Sequence, residues 1–205
     1  MDEQYVNAFF EHGKLRLSSF RQFTKHADEQ RLDVEEGEVS LLIQPPSGEQ
    51  GNAVYAAIRV ADSAYALSTT LRNDDWITEA FGSRAYIKIN NPTAFGVAIA
   101  RRIPGFRLGV EGPCRYQVNR VVYKPLPGIT ADEFRDGRGA VDLQKISQFF
   151  QEHVEGYPYF LKHTRFVPQV EYRFIWECDG ECADFLDLVV PEAIQYCEPP
   201  SEFHK

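Results

Sequence analysis

The sequence has no long apolar run, and nothing in it approaches the roughly 20 apolar residues that a membrane-spanning helix needs. No membrane association is expected. The start, Met1-Asp2-Glu3-Gln4, has no basic stretch leading into an apolar one. A secretory leader is therefore not expected, and the chain reads as cytoplasmic. Basic side chains are outnumbered, with 22 Lys and Arg against 30 Asp and Glu and a net charge of −8. Phosphate neutralisation needs clustered cations, so broad binding to nucleic acid or anionic membrane is disfavoured, although a local basic groove is compatible with the balance. No glycine-rich phosphate fingerprint is present, which removes Rossmann and P-loop readings. Ser68 has no Gly-x-Ser-x-Gly elbow around it, so nucleophilic hydrolase chemistry has no support. Internal repeats and low-complexity tracts are also missing.

Cysteine is sparse: Cys114, Cys178, Cys182 and Cys197. Without a leader, a disulfide framework is not expected. Cys178-x-x-x-Cys182 has a spacing seen in some zinc sites, with Cys197 or His204 as further ligands. Only one close pair exists, however, and Asp179-Gly180 between them reads as a hairpin turn, so no metal is assigned.

What is present is an apolar, aromatic-rich chain of 205 residues, long enough to bury a full core. Residues 14–19 alternate at period two and read as a strand with Leu15 and Leu17 inward. Residues 20–40 are acidic and irregular and read as a loop. Residues 44–52 read as a turn. Strands are expected at 53–60 and 64–69. Asp74 and Asp75 start a helix, Trp76, Ile77, Ala80 and Phe81 give it an apolar face, and Gly82 stops it. A strand at 84–90 precedes a helix from Asn91-Pro92 to about Arg102. Residues 114–123 read as a strand and 125–139 as a loop. A helix is expected over 141–153 and a second over 159–166. Glu171–Glu177 and Phe185–Val190 read as a hairpin, followed by a short turn or helix at Pro191. Strands and helices mix without regular βαβ spacing. The expected fold is α+β, a single domain over 1–197 with a mixed, largely antiparallel sheet and packed helices, and a flexible tail over 198–205.

The candidate chemistry centres on Gln169-Val170-Glu171, where a loop hands over to the aromatic strand Tyr172-Arg173-Phe174-Ile175-Trp176. In a strand, positions i and i+2 share a face, so an amide and a carboxylate would point the same way from a rigid support. The alternative is a salt-bridged, solvated strand start. Three elements occur in order: Arg16, then Ser68-Thr69-Thr70, then Gln169-x-Glu171. This order resembles the Arg, Ser-Thr-Ser, Gln/Glu-x-Glu pattern of the ADP-ribosyltransferases, with Thr70 where the third serine would stand. The resemblance implies an ADP-ribosyltransferase-like fold and NAD as substrate. Arg16 would hold the pyrophosphate, Ser68 and Thr69 the ribose site, and Glu171 the nicotinamide ribose and the oxocarbenium-like state. Gln169 would help present the acceptor. Arginine is a bidentate phosphate clamp, and a carboxylate beside a developing cationic sugar lowers the barrier. Arg31 is a further phosphate candidate and Trp76 a stacking platform for nicotinamide or adenine. Each has a plainer reading: Arg31 with Asp33 and Glu36 as a local ion network, Trp76 with Phe81 as core. Lys162 is a candidate to pair with Glu171 or a ligand phosphate and His163 to act as a base, and the plainer reading of both is a solvent position at a helix end.

A second resemblance spans about residues 8–195. Gly13-Lys14-Leu15-Arg16-Leu17-Ser18-Ser19-Phe20, Asp33-Val34-Glu35-Glu36-Gly37, Ala66-Leu67-Ser68 and the closing Phe160 to Phe166 with Glu171-Tyr172-Arg173-Phe174 look like a large family of uncharacterised bacterial proteins. At the position of Gln169 that family commonly has an acidic or basic residue. Its members often look like accessory proteins of bacterial defence or toxin systems.

Three functions follow as expectations. The first is an NAD-consuming enzyme, a mono-ADP-ribosyltransferase or NAD hydrolase, whose acceptor is a protein, a nucleic acid, a small molecule or water. The second is a non-catalytic sensor or partner-binding module. The third, disfavoured by the charge, is a metal-dependent nuclease using Asp28, Glu29, Asp33, Glu35, Glu36 and Glu38, whose spacing matches no calcium loop and suits a solvated run.

Overall fold

The computed structural model describes residues 2–25, 36–44, 54–59, 62–82, 85–125, 131–154 and 157–199. The helices are α1 (Glu3–His12), α2 (Asp75–Phe81), α3 (Pro92–Ala100), α4 (Leu143–Val154) and the single turn α5 (Tyr157–Phe160). The strands are β1 (Lys14–Ser19), β2 (Glu38–Gln44), β3 (Val54–Arg59), β4 (Ala64–Thr70), β5 (Lys88–Ile89), β6 (Phe106–Pro113), β7 (Arg115–Gln117), β8 (Val121–Pro125), β9 (Leu161–His163), β10 (Glu171–Cys178), β11 (Phe185–Val189) and β12 (Cys197–Glu198). The architecture is α+β with mixed, mostly antiparallel sheets. Among the described residues, no helix is long and apolar enough to cross a membrane.

The main sheet has the order β11-β1-β4-β10-β6, antiparallel throughout. Its aromatic, β-branched centre β10 is buried on both faces, which is why it lacks the polar–apolar alternation of a half-exposed strand. One face carries Tyr65, Phe174 and Trp176 and is covered by α1, α3 and a 3-10 turn at Pro191–Tyr196, with Phe9, Phe95, Ile99 and Val190 filling the core. Complete burial of each such side chain is worth about 1.5–3 kcal/mol. The indole Nε1 of Trp176 donates to the Gly96 carbonyl at 3.1 Å, which satisfies its polar edge. The opposite face carries Ala66 and Ile175 against Phe20 and Tyr159.

A second sheet, β3-β2-β8, is antiparallel on one side of β2 and parallel on the other. The pairs β5-β12 and β7-β9 complete the set. Gly13 ends α1 at φ 69, its N–H bonding back to Phe9. A Cβ there would lie 2.4 Å from the Pro191 backbone nitrogen, so only glycine fits. Asp74 caps α2 by accepting from Ile77, and Asn91 caps α3 by accepting from Ala94.

Several expectations need correction. The 20–40 loop contains a 3-10 turn (Phe20–Thr24) and the start of β2. Residues 26–35, with Asp28, Glu29, Arg31, Asp33 and Glu35, lie outside the described residues, as do 45–53 and the end 200–205 with His204. Glu198, expected in the tail, pairs with Lys88 in the β12-β5 ladder. The single strand over 114–123 is two, β7 and β8, in different sheets. The second helix over 159–166 is one helical turn, a short strand and a 3-10 turn with Pro168 inside it. β10 and β11 are not a hairpin: β10 lies between β4 and β6, while β11 crosses to pair with β1. The apolar side chains of α2 are not buried.

Candidate functional site

Glu171 is the first residue of β10 and lies opposite Thr70. Its position is set from both sides. The backbone N–H donates to the Tyr116 hydroxyl at 2.8 Å, and the carbonyl accepts from the Cys114 N–H at 2.9 Å. The carboxylate faces inward and is 4% exposed. Its Oε1 accepts from Arg173 Nε at 2.5 Å, and its Oε2 accepts from Lys162 Nζ. Lys162 also donates to Gln169 Oε1 at 2.9 Å and lies over the Phe166 ring.

Arg173, two residues on, is 0% exposed. Its Nη1 and Nη2 form a fork on Glu36 at 2.7 and 3.1 Å, and Nη1 also donates to the Tyr159 carbonyl at 2.7 Å. The guanidinium carbon sits 5.5 and 5.7 Å from the Phe20 and Phe23 ring centres. Two cations and two carboxylates thus close a neutral cluster, with an amide and aromatic walls completing it.

Burial pushes the Glu171 carboxyl up, but the adjacent Arg173 and Lys162 charges and hydrogen bonds outweigh it and bring it down to about 2. Burial pulls Arg173 down, and the two carboxylates more than reverse it, holding the group well above its ordinary value. Cys114 beside the cluster is pushed up to about 12, chiefly by burial, so its sulfur stays a thiol and a poor nucleophile. Burial likewise raises Tyr116 to about 12.

Arg16 and Ser68 lie on the same face of the main sheet as Glu171 and Arg173. Ser68 is directly opposite Arg173 and exposed. Arg16 follows on the next strand over, also exposed, with Nε and Nη2 on the two Asp187 oxygens at 2.7 and 2.9 Å. The Asp187 hydrogen bond and charge raise Arg16. Thr69 points to the other face, opposite Tyr172, and its hydroxyl donates to the Tyr172 carbonyl at 2.8 Å. Trp76 lies on α2, with the Arg72 guanidinium 5.4 Å from its ring centre.

Gln169 does converge with Glu171, but through Lys162 and not through a shared strand. It closes a 3-10 turn, and Val170 follows at φ 41, a left-handed conformation rare for a β-branched residue. His163 caps that turn, its Nδ1 accepting from the Arg165 N–H at 3.1 Å. The Lys162–Glu171 pairing is one of the options the sequence offers, whereas a solvent position for Lys162 is excluded by its burial at 4% exposure. Arg173 and Glu36 were not singled out as its companions, although the spacing of Arg173 from Glu171 on one strand carried the signal.

Among the described residues, no group of three or more His, Cys, Asp or Glu side chains is placed to hold a metal. Cys178 and Cys182 meet each other beside Tyr65, while Cys197 lies on β12. Glu36 is committed to Arg173, and Glu38 opens β2.

Hollows among the described residues include the following two. A shallow one of about 510 Å³ is lined by Tyr116 to Asn119, Val121 to Tyr123 and Thr164. An apolar one of about 170 Å³ lies between α3 and β6 over Phe174 and Trp176. The outer face of β3-β2-β8 carries Tyr55, Leu42 and Tyr123 in one cross-strand row. Tyr55 and Tyr123 are 63% and 58% exposed, and nearby Val118 is 75% exposed. The chain matches no protein-family model, no curated protein and no solved structure.

Proposed function

We propose that the chain is a non-catalytic partner-binding module that engages a protein through the outer face of β3-β2-β8. The observation that carries this reading is the cross-strand row Tyr55–Leu42–Tyr123, in which two exposed tyrosines flank a half-buried leucine. Aromatic side chains with a polar tip bury much area at small entropic cost and are enriched at protein interfaces. The Ser40 and Tyr55 hydroxyls, 2.7 Å apart, fix the first ring against the strand beside it. The ionic cluster then serves the scaffold: Glu36 leads into β2, and Arg173 ties it to the main sheet. A tagged chain is the direct test, with a Tyr55→Asp/Tyr123→Asp variant as the paired bait. A protein retained by both baits alike would overturn the assignment of this face.

A specific observation favours a second reading, the NAD-consuming enzyme. β1, β4 and β10 are consecutive in the main sheet, so Arg16, Ser68 and Glu171 line up on one face. In that reading Lys162 withdraws and Glu171 meets the nicotinamide ribose, while Asp187 yields Arg16 to the pyrophosphate. Calorimetry with NAD and a nicotinamide-release assay on wild type and Glu171→Gln separate the two. Release by wild type that Glu171→Gln abolishes, with the fold kept, establishes the enzyme. No binding and no release, with Glu171→Gln lowering only stability, leaves the scaffold role.

A further inference from the structure

We infer that β6 is a self-complementary sheet edge through which two copies of this chain pair antiparallel, joining their main sheets across a two-fold axis at Gly109. β6 ends the main sheet, with β10 as its sole strand partner among the described residues. An edge strand presents unpaired N–H and C=O groups, and such edges are usually blunted by lysine, proline or a bulge. Here those devices bracket the strand. A bulge at Glu177/Cys178 leaves Arg107 as the extra residue at one end, and Pro113 stands at the other. The stretch between them, Leu108-Gly109-Val110-Glu111-Gly112, contains no lysine or proline.

Pairing two copies about Gly109 sets Gly109 against Gly109 and Leu108 against Val110, and brings the bulged Arg107 alongside Glu111 of the other copy, each contact occurring twice. Opposite charges brought close across an antiparallel pair are favourable. The Arg107 side chain is 65% exposed and lies 3.5 Å from the equally open Asp179, so it is available to reach across. Glu111 is fixed by the Thr93 hydroxyl at 2.5 Å and by Tyr172. Leu108 is 50% exposed and gains cover. The apolar hollow between α3 and β6 opens beside this edge, and Val97 and Phe106 at its rim are 47% and 40% exposed. The paired edge continues into that rim, where α3 of each copy faces the other. The opposite edge of the sheet behaves differently. β11 has Asp187 at its middle, and the same pairing would set Asp187 against its own copy, like charge on like.

Sedimentation equilibrium of the full chain from about 1 to about 300 μM tests this, a range suited to a modest interface. A monomer–dimer equilibrium is expected. Arg107→Glu and Glu111→Arg should each abolish it by placing like charges across both halves. Mixing the two variants, or combining both changes in one chain, should restore it. Leu108→Lys, at an exposed site, should abolish it without touching the Glu111 contacts. Far-UV circular dichroism verifies each fold. A wild type monomeric throughout the range, or dimers that survive the single changes, would overturn the inference.

Discussion

Arg173 Nε sits 2.5 Å from Glu171 Oε1, donor and acceptor two residues apart on one face of β10. The same guanidinium grips Glu36 with its other two nitrogens, so one side chain bridges two buried carboxylates. That economy makes Arg173 the member whose loss the cluster tolerates least.

Arg173→Met keeps much of the volume but leaves Glu36 and Glu171 against a single cation. Breaking a buried pair from one side costs about 3–5 kcal/mol. A drop of that size in urea-unfolding free energy is expected. Arg173→Lys should recover only part of it, because an ammonium cannot form the fork. A loss below about 1 kcal/mol for Arg173→Met would show that the cluster is solvated in solution.

Acid should act through Glu171. Its folded value lies below its ordinary 4.5, at about 2. The stabilisation is therefore complete above the ordinary value and disappears as pH falls from about 4.5 through about 2. Urea midpoints of wild type should fall across that window. Glu171→Gln should start lower at neutral pH and fall less steeply. Parallel curves for the two proteins would exclude Glu171 as a source of the acid sensitivity.

Gly13→Ala should be severe for a change of one methyl group. The new Cβ would meet the backbone of Val190 and Pro191 at 2.4–2.6 Å, at a φ that disfavours alanine. Shifting either backbone breaks the Val190 N–H bond to the Gly13 carbonyl. A loss of about 3 kcal/mol is expected from overpacking and backbone strain together. An unchanged thermal midpoint would mean that the α1–β1 corner relaxes freely.

Thiol chemistry should be silent in the native protein. Burial pushes Cys114, Cys178 and Cys197 up to about 12 and raises Cys182. Iodoacetamide at pH 8 should label none of the four until denaturant is added, as read by intact mass. Rapid labelling of one cysteine in the native protein would identify a locally opening segment.

Local signals carried the parts of the fold that local chemistry decides. Asp74 with Gly82 and Asn91-Pro92 bracketed their helices because a cap needs only its own turn. Leu15 and Leu17 revealed β1 by alternation. β6 escaped notice because Gly109, Gly112 and Pro113 break a strand pattern that the neighbouring β10 supports. The Asp179-Gly180 turn suggested a hairpin, yet β11 satisfies its ladder on β1, and nothing near residue 185 encodes that choice. The candidate site was half legible. Glu171 and Lys162 stood close in sequence, whereas Glu36 reaches Arg173 from 137 residues away. The strained Val170 turn, which takes Gln169 off the strand, has no signature in a Val-Glu dipeptide.

The order β11-β1-β4-β10-β6 also sets the timing of assembly. No two neighbours in this sheet are consecutive along the chain, and Arg16 waits for an Asp187 that lies 171 residues downstream. At about 5–20 residues per second, a translating ribosome holds β1 without its outer neighbour for roughly 10 to 30 s. β4 and α3 reach Leu15 and Leu17 during that interval, but the outer edge of β1 stays open until β11 is made. Such a sheet closes late and all at once, as non-local pairings do. Its newborn form is therefore a natural client for whatever shields apolar strands at the exit tunnel.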